Sequence, residues 1–227
     1  MKNFYKIGHR GAMDLEPENT LRSINRAIDL GVDAIEIDVY RTKDKELVVL
    51  HYEGLEKTTN GKGLVWEHTL SDIKKLDAGK GERVPTLQEV LDTVNGRCDI
   101  MVEIKMYGIE KLVMDIINRN KGKNNIMLIS FFHDIMKEIK ATQPTLKTGV
   151  TFMAVPVNVT QLAIDANADA ILPQYQFLTS TMVEAAHSKN IKVYAWHTED
   201  IKEIRDLIEL GVDGIMTNNP ELFSKIF

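Results

Sequence analysis

Disulfide chemistry is excluded by count, because the chain has a single cysteine, Cys98, with no partner for an internal bridge. Long apolar runs are missing as well. No stretch approaches the ~18 residues that a spanning helix needs, so no integral membrane contact is expected. The opening "MKNFYKIGHRG" contains no apolar segment of secretory length, and with the lone cysteine it gives the expectation of a cytoplasmic protein. Nor is there an excess of basic residues: 28 Lys and Arg stand against 33 Asp and Glu, for a net charge of -5. Nucleic-acid binders usually carry a basic face, so no nucleic-acid partner is expected, and any phosphate recognised here should be small and held locally.

What the chain does have is length and apolar content. With 227 residues, 44% of them hydrophobic, it can build one sizeable core, and a single domain over 1–227 is expected. Amphipathic helices alternate with short apolar runs. In "PENTLRSINRAIDLG" Asn19 suits an N-cap, Leu21, Ile24, Ala27 and Ile28 share a face, and Gly31 suits C′. "TLQEVLDTVNG" opens with a capping box, Thr86 to Glu89, and closes at Gly96. The same periodicity recurs over 109–119, 134–141, 158–166, 180–188, 199–210 and 220–226, where Pro220 fits the first helical position. Between the helices lie "FYKIGH", "DAIEID", "DIMVEIK", "NIMLIS", "LKTGVTF", "DAILP", "KVYAW" and "DGIMT". Such alternation points to a (β/α)₈ barrel, with an open doubly wound sheet as the competing arrangement. "LGVDAIEI", "ANADAILP" and "LGVDGIMT" share one αβ turn with an aspartate at a fixed place, which reads as recurrent local geometry.

A ninth strand candidate, "ELVVLH" (46–51), follows residue 40 too soon for a parallel crossover and should return antiparallel on the second strand. This carries His51 back beside Glu36 and Asp38. From 52 to 85 the chain is long for a plain loop, and Leu64, Val65, Trp66, Leu70, Ile73 and Leu76 favour a small packed insertion near the site.

Chemistry on a barrel belongs at the C-terminal ends of its strands. His9 and Arg10 end the first strand; taken alone they fit a hydrogen-bonded loop better than a site. Glu36 and Asp38, two apart on the second strand, point the same way. In isolation they fit a solvated hairpin face neutralised by Arg41 and Lys43. Glu103 and Lys105 repeat the spacing on the third strand, where a salt bridge is the plain alternative. Together the three carboxylates make an oxygen-rich site for a hard divalent cation, with Lys105 free to hold a phosphate oxygen. His9 and His51 are then left as acid and base, expected to titrate near neutrality. Trp196 walls the pocket or packs at the rim, His197 follows it, and Phe131 and Phe132 suit core packing. His68, His133 and His187 suit structural or exposed places. The glycines of "GKG" (61–63) are no phosphate loop, since no helix with the required Gly-Lys-Ser/Thr follows.

In order and spacing, "HRGA", "PENT", "EIDV", "LVVLH", "TTNGKG", "TLSDIKKLDAG", "VPTLQEVL", "VEIK", "YAWHT" and "GVDGIMTNNP" resemble the glycerophosphodiester phosphodiesterase family across nearly the whole chain. The resemblance implies a TIM barrel with a small insertion. It also implies His9 and His51 as the acid–base pair, Arg10 and Lys105 as phosphate contacts, Trp196 as a pocket aromatic, and Glu36, Asp38 and Glu103 as ligands of Ca²⁺ or Mg²⁺. The implied reaction releases glycerol 3-phosphate and an alcohol from a small glycerophosphodiester, the substrate's own 2-hydroxyl attacking phosphorus before water opens the cyclic phosphate. Two positions depart from the family pattern: Tyr52 stands where an aspartate is usual and Lys57 where an arginine is usual. Two rivals are a metal-dependent barrel lyase or aldolase, and a non-catalytic phosphate-ester binding protein. The first has no need of His9, Arg10, His51 and Lys105 around one site.

Overall fold

A computed structural model describes residues 4–226. Its strands are β1 (Tyr5–Gly8), β2 (Ala34–Arg41), β3 (Leu47–Val49), β4 (Asp99–Ile104), β5 (Ile126–Ser130), β6 (Lys147–Phe152), β7 (Ala170–Pro173), β8 (Lys192–Ala195) and β9 (Gly214–Thr217). Its helices are α1 (Leu21–Asp29), α2 (Leu70–Ile73), α3 (Leu87–Val94), α4 (Glu110–Arg119), α5 (His133–Thr142), α6 (Val159–Ala166), α7 (Ser180–Ser188) and α8 (Ile201–Leu210). The sheet runs β1-β9-β8-β7-β6-β5-β4-β2-β3, and pairing of β1 with β2 closes eight parallel strands into a barrel. β3 lies outside that ring, antiparallel to the upper half of β2, with Val39 opposite Val49 and Arg41 opposite Leu47. No helix among the described residues is long and apolar enough to cross a membrane.

Period-two alternation decides what each strand presents to the barrel axis. Along β2, Ile35, Ile37 and Val39 belong to the cluster under the helices, whereas Ala34 belongs to the barrel interior with Ile7, Met101, Leu172 and Tyr194. Glu36 and Asp38 share the parity of Ala34 and therefore face inward. β4 obeys the same rule: Ile100, Val102 and Ile104 pack under the helices, and Met101 and Glu103 face the axis. Each fully buried isoleucine on the helix side contributes roughly 1.5–3 kcal/mol of apolar burial. That packing fixes the register which turns the acids inward.

The recurrent αβ turn has a definite job. Asp33, Asp169 and Asp213 each accept a hydrogen bond at 2.9 Å from the backbone N–H of a neighbouring strand: Lys6, Thr148 and Val193 respectively. Lysines close the same acids from outside, Lys147 on Asp169 and Lys192 on Asp213, both at 2.8 Å. One side chain thus ties the turn that enters a strand to the preceding strand of the ring.

The stretch after β3 folds onto the hairpin. Leu55, Val65, Ile73, Ala78 and Val84 bury themselves with Tyr40, Val48 and Leu50, and a bridge pairs Gly54 with Leu64. Thr86 and Glu89 form the expected capping box of α3. Two expectations fail locally. The N-cap of α1 is Thr20, whose side chain accepts from Ser23 N, and not Asn19. Residues Pro220–Lys225 form a 3₁₀ helix where α-helical periodicity was expected; Pro220 occupies its first turn, with Asn219 capping at Glu221 N.

Candidate active site

At the C-terminal mouth of the barrel, a pocket of about 120 Å³ is lined by His9, Arg10, Glu36, His51, Glu103, Lys105 and Trp196 among others. Asp38 lies buried beneath them, tied to both cations of the site. His51 gets there by the hairpin: β3 runs back down β2, Leu50 N donates to Asp38 O at 3.0 Å, and the next residue enters the mouth. All eight residues singled out from the sequence therefore meet at one place.

Arg10 adopts a left-handed backbone, φ 50°. Its N–H donates to Glu36 Oε2 at 3.1 Å, and its carbonyl accepts from Ser23 Oγ at 2.9 Å. The following Gly11 has φ 84°, and a Cβ there would lie 2.6 Å from the Ser23 backbone. The turn needs glycine on both counts. It aims the Arg10 guanidinium between Glu18, at 2.9 Å, and Asp38, at 3.5 Å.

Glu36, Asp38 and Glu103 each offer an oxygen within 4.8 Å of the others, and all three are buried. Glu36 Oε1 and Asp38 Oδ1 have no hydrogen-bond partner. Lys105 contacts Glu103 at 2.8 Å and Asp38 at 3.5 Å. Burial first, and then the charges of Asp38 and Glu103, push the Glu36 carboxyl well above the usual carboxylate range. Burial and Asp38 likewise raise Glu103 to about 7. Burial would raise Asp38 too, but Lys105 and Arg10 outweigh it and hold it low. Without a further cation the three acids do not all ionise beside Lys105 and Arg10; a hard cation on their open oxygen lone pairs would take the place of the protons that burial holds on Glu36 and Glu103.

The histidines do not titrate near neutrality. Burial, with Arg10 and His197 adding positive charge, lowers His9 to about 3. Burial lowers His51 to about 4, against the opposing pull of Asp38. His9 Nδ1 lies 2.6 Å from Asn218 Oδ1, an acceptor, so the proton of the neutral ring sits on Nδ1. Nε2 is left as the basic nitrogen, 3.8 Å from Glu36 Oε2.

Three partners escaped the sequence reading. Asn19, released from capping, donates from Nδ2 to Asp38 Oδ2 at 2.9 Å. Asn218 orients His9. His197 stacks on His9 with ring centroids 4.5 Å apart. Trp196 walls the pocket, held by Nε1 donating to Leu172 O at 2.8 Å and by an edge contact with Phe131 at 5.7 Å. Phe131 lines the pocket instead of packing in the core, and its side is half open to solvent. His133 and His187 make structural bonds, to Thr151 O and Asp213 Oδ2, both at 2.8 Å.

Comparison with known proteins bears on this arrangement. The model of the glycerophosphoryl diester phosphodiesterase family matches residues 9–222. A glycerophosphodiester phosphodiesterase of Caldanaerobacter subterraneus subsp. tengcongensis is 35% identical over 95% of this chain and 94% of its own. One from Bacillus subtilis is 32% identical over 97% of this chain and 85% of its own. Among solved structures, an Oleispira antarctica phosphodiesterase in complex with its product sn-glycerol-3-phosphate superimposes with a TM-score of 0.93 at 25% identity, covering 98% of this chain and 96% of that one. With a family model covering nearly the whole chain and a relative above 30% identity at full length, this chain is an enzyme of the glycerophosphoryl diester phosphodiesterase family.

Proposed function

We propose that the chain hydrolyses small glycerophosphodiesters to sn-glycerol 3-phosphate and an alcohol, with a divalent cation, Ca²⁺ or Mg²⁺, held by Glu36, Asp38 and Glu103. The observation that carries the reading is a buried three-carboxylate cluster beside two histidines, in which Glu36 Oε1 has no hydrogen-bond partner and Asp38 Oδ1 has only a 3.5 Å ion pair with Lys105. An unpaired buried acceptor costs about 1–3 kcal/mol, and a cation in the cluster would satisfy Glu36 Oε1 while drawing on the same Asp38 oxygen that Lys105 holds only loosely. When bound, such a cation polarises a phosphoryl oxygen as a Lewis acid. The rest is protein chemistry.

His9, neutral and with Nε2 free, takes the proton of the substrate's 2-hydroxyl as that oxygen attacks phosphorus. His51 protonates the departing alcohol. A phosphodiester anion in the pocket favours the charged imidazole, opposing the burial that lowers His51 in the empty site. Arg10 and Lys105 face the same space and stabilise charge on the phosphoryl oxygens. Water, activated by the histidine that has just lost its proton, then opens the cyclic phosphate. Residues 1–227 act as one domain in this reading, since Tyr40 and Val48 share one apolar cluster with the segment after β3.

The test is release of glycerol 3-phosphate from glycerophosphocholine and a panel of related diesters, followed with glycerol-3-phosphate dehydrogenase. Turnover with Mg²⁺ or Ca²⁺ that EDTA abolishes is expected. Silence over the whole panel, in the presence of either ion, would leave a phosphate-ester binding protein as the better description.

A further inference from the structure

The lining of the catalytic pocket divides into two halves. Its charged groups, Arg10, Glu36, Glu103 and Lys105, come with His9 and His51 from the side of β1 to β4. From β5 round to β9 the wall is uncharged, and its polar side chains are Thr151, Trp196 and His197. The Trp196 indole is already committed to Leu172 O. Thr151 stands on β6, four places round the ring from β1 and His9. Of the three, it is His197 that stacks on His9, its ring inclined by 26°.

The chain holds this ring in place from both sides. Trp196 N donates to Pro173 O at 3.2 Å, and Trp196 O accepts from Tyr175 N at 2.7 Å. Beyond it, Thr198 Oγ1 donates to Glu203 Oε2, and Glu199 Oε1 accepts from Asn218 N at 3.2 Å. Asn218 is also the partner of His9, so one loop contact sets both imidazoles. Yet the His197 ring makes no hydrogen bond among the described residues, and its Nδ1 is buried without a partner. A phenyl ring would stack on His9 as well and carry no unpaired nitrogen, so stacking alone does not account for a histidine here. With Nδ1 enclosed, a ligand in the pocket meets the ring at Nε2. Burial holds His197 below its ordinary pKa, against the pull of Glu199. The ring is therefore neutral at pH 7 and bonds a hydroxyl as donor or acceptor.

In the function proposed above, the glycerol 2-hydroxyl gives its proton to His9. The 1-hydroxyl is on the adjacent carbon, about a hydrogen-bond length from the first. The ring beside His9, 4.5 Å away between centroids, is that of His197. Resting on that reading, we infer that His197 is a specificity-determining residue: it hydrogen-bonds the 1-hydroxyl, so the site selects a glycerol whose 1- and 2-hydroxyls are both free. The departing alcohol, in line with the attacking oxygen, lies on the opposite side of phosphorus towards His51. His197 therefore governs the choice of glycerol and leaves the head group open.

The experiment compares kcat/KM for glycerophosphocholine with that for 2-hydroxypropyl-phosphocholine, which keeps the attacking 2-hydroxyl and lacks only the 1-hydroxyl. Choline release reports on both. The wild type with Mg²⁺ or Ca²⁺ should prefer glycerophosphocholine by about tenfold or more, the worth of one such hydrogen bond. His197→Phe, which keeps a ring on His9 and removes both nitrogens, should bring that ratio close to one. The ratio is internal to each protein, so a lowered fraction of folded variant cancels from it. A second readout is independent of turnover: sn-glycerol 3-phosphate should bind about tenfold more tightly than 2-hydroxypropyl phosphate to the wild type, and equally to the variant. Equal kcat/KM values in the wild type, or a preference that survives His197→Phe because both substrates lose alike, overturn this inference alone. Absence of turnover on both substrates overturns the hydrolytic reading, and product binding then decides the role of His197: equal affinity of the wild type for the two phosphates overturns it as well.

Discussion

Replacing Glu36 by glutamine should stabilise the metal-free protein while removing its response to metal, and the size of the gain should depend on pH. The three buried carboxylates sit within 4.8 Å of one another at their nearest oxygens. Two unit charges about 5 Å apart repel by about 3 kcal/mol at an effective dielectric near 20. Protonating Glu36 is the alternative to that repulsion. Held neutral at pH 7 against an unfolded pKa near 4.3, a carboxyl costs about 1.36 kcal/mol for each of roughly 2.7 pH units, close to 4 kcal/mol. The smaller penalty sets the cost, about 3 kcal/mol at pH 7. At pH 5 the same arithmetic gives about 1 kcal/mol. The sign follows from the raised folded pKa of Glu36: folding takes up a proton, so its penalty is absent below the unfolded pKa and grows as pH rises. Glutamine keeps an oxygen for the Arg10 N–H and carries no charge. In EDTA, Glu36→Gln should therefore melt about 6–12 °C above wild type at pH 7, at roughly 2–4 °C per kcal/mol, and only a few degrees above it at pH 5. Adding Mg²⁺ or Ca²⁺ at about 100 times its Kd should lift the wild type by about 2.7 kcal/mol and leave the variant unmoved. Equal gains at both pH values, a variant less stable than wild type in EDTA, or a metal response equal in the two proteins would refute the reasoning.

His9→Ala and His51→Ala should each lower kcat by about 10²–10⁴-fold on glycerophosphocholine, with the metal-induced rise in Tm retained. On glycerophospho-p-nitrophenol, whose phenolate leaves without a proton, His51→Ala should recover much of its loss and His9→Ala should not; equal losses on both substrates would count against His51 as the acid. Asp169→Asn leaves the buried Lys140, now 2.7 Å from that carboxylate, without its counter-charge. Because Asp169 is 23% exposed, the cost should be about 2–3 kcal/mol, below the 3–5 of a fully buried pair. Burial alone would raise Asp169, but Lys140 and Lys147 outweigh it and hold it below the ordinary range. Its contribution is therefore full above pH about 4 and is lost as pH falls further; acid titration of wild type and variant by circular dichroism should converge there.

The parts of this site that could be read from sequence are those governed by strand parity, because a period of two holds wherever a strand is regular. Glu36, Asp38, Glu103 and Lys105 each sit two apart among Ile and Val, and the apolar partners' packing under the helices leaves the acids no direction but inward. His51 required one more step, the shortness of the 41–46 turn, which only an antiparallel return can satisfy. What parity does not govern was lost. Asn19 and Thr20 have equal capping chemistry, and the choice between them was made by Asp38, which lies on another strand and takes the Asn19 amide for itself. Asn218 reaches His9 across 209 residues of chain, a meeting that exists only because β1 and β9 are neighbours in the closed ring. His197 follows the last regular position of β8, so alternation no longer fixes its direction, and it came to rest on the His9 ring. The same closure overturned the expectation of histidines titrating near neutrality. Reference values describe an imidazole in water, whereas barrel closure surrounds His9 with Arg10, His197 and a wall of side chains that exclude solvent. The site's residue types are therefore local information, and its protonation states belong to the assembled barrel; a neutral His9 with a free Nε2 is a product of Asn218 and burial together, neither of which its own neighbours in sequence supply.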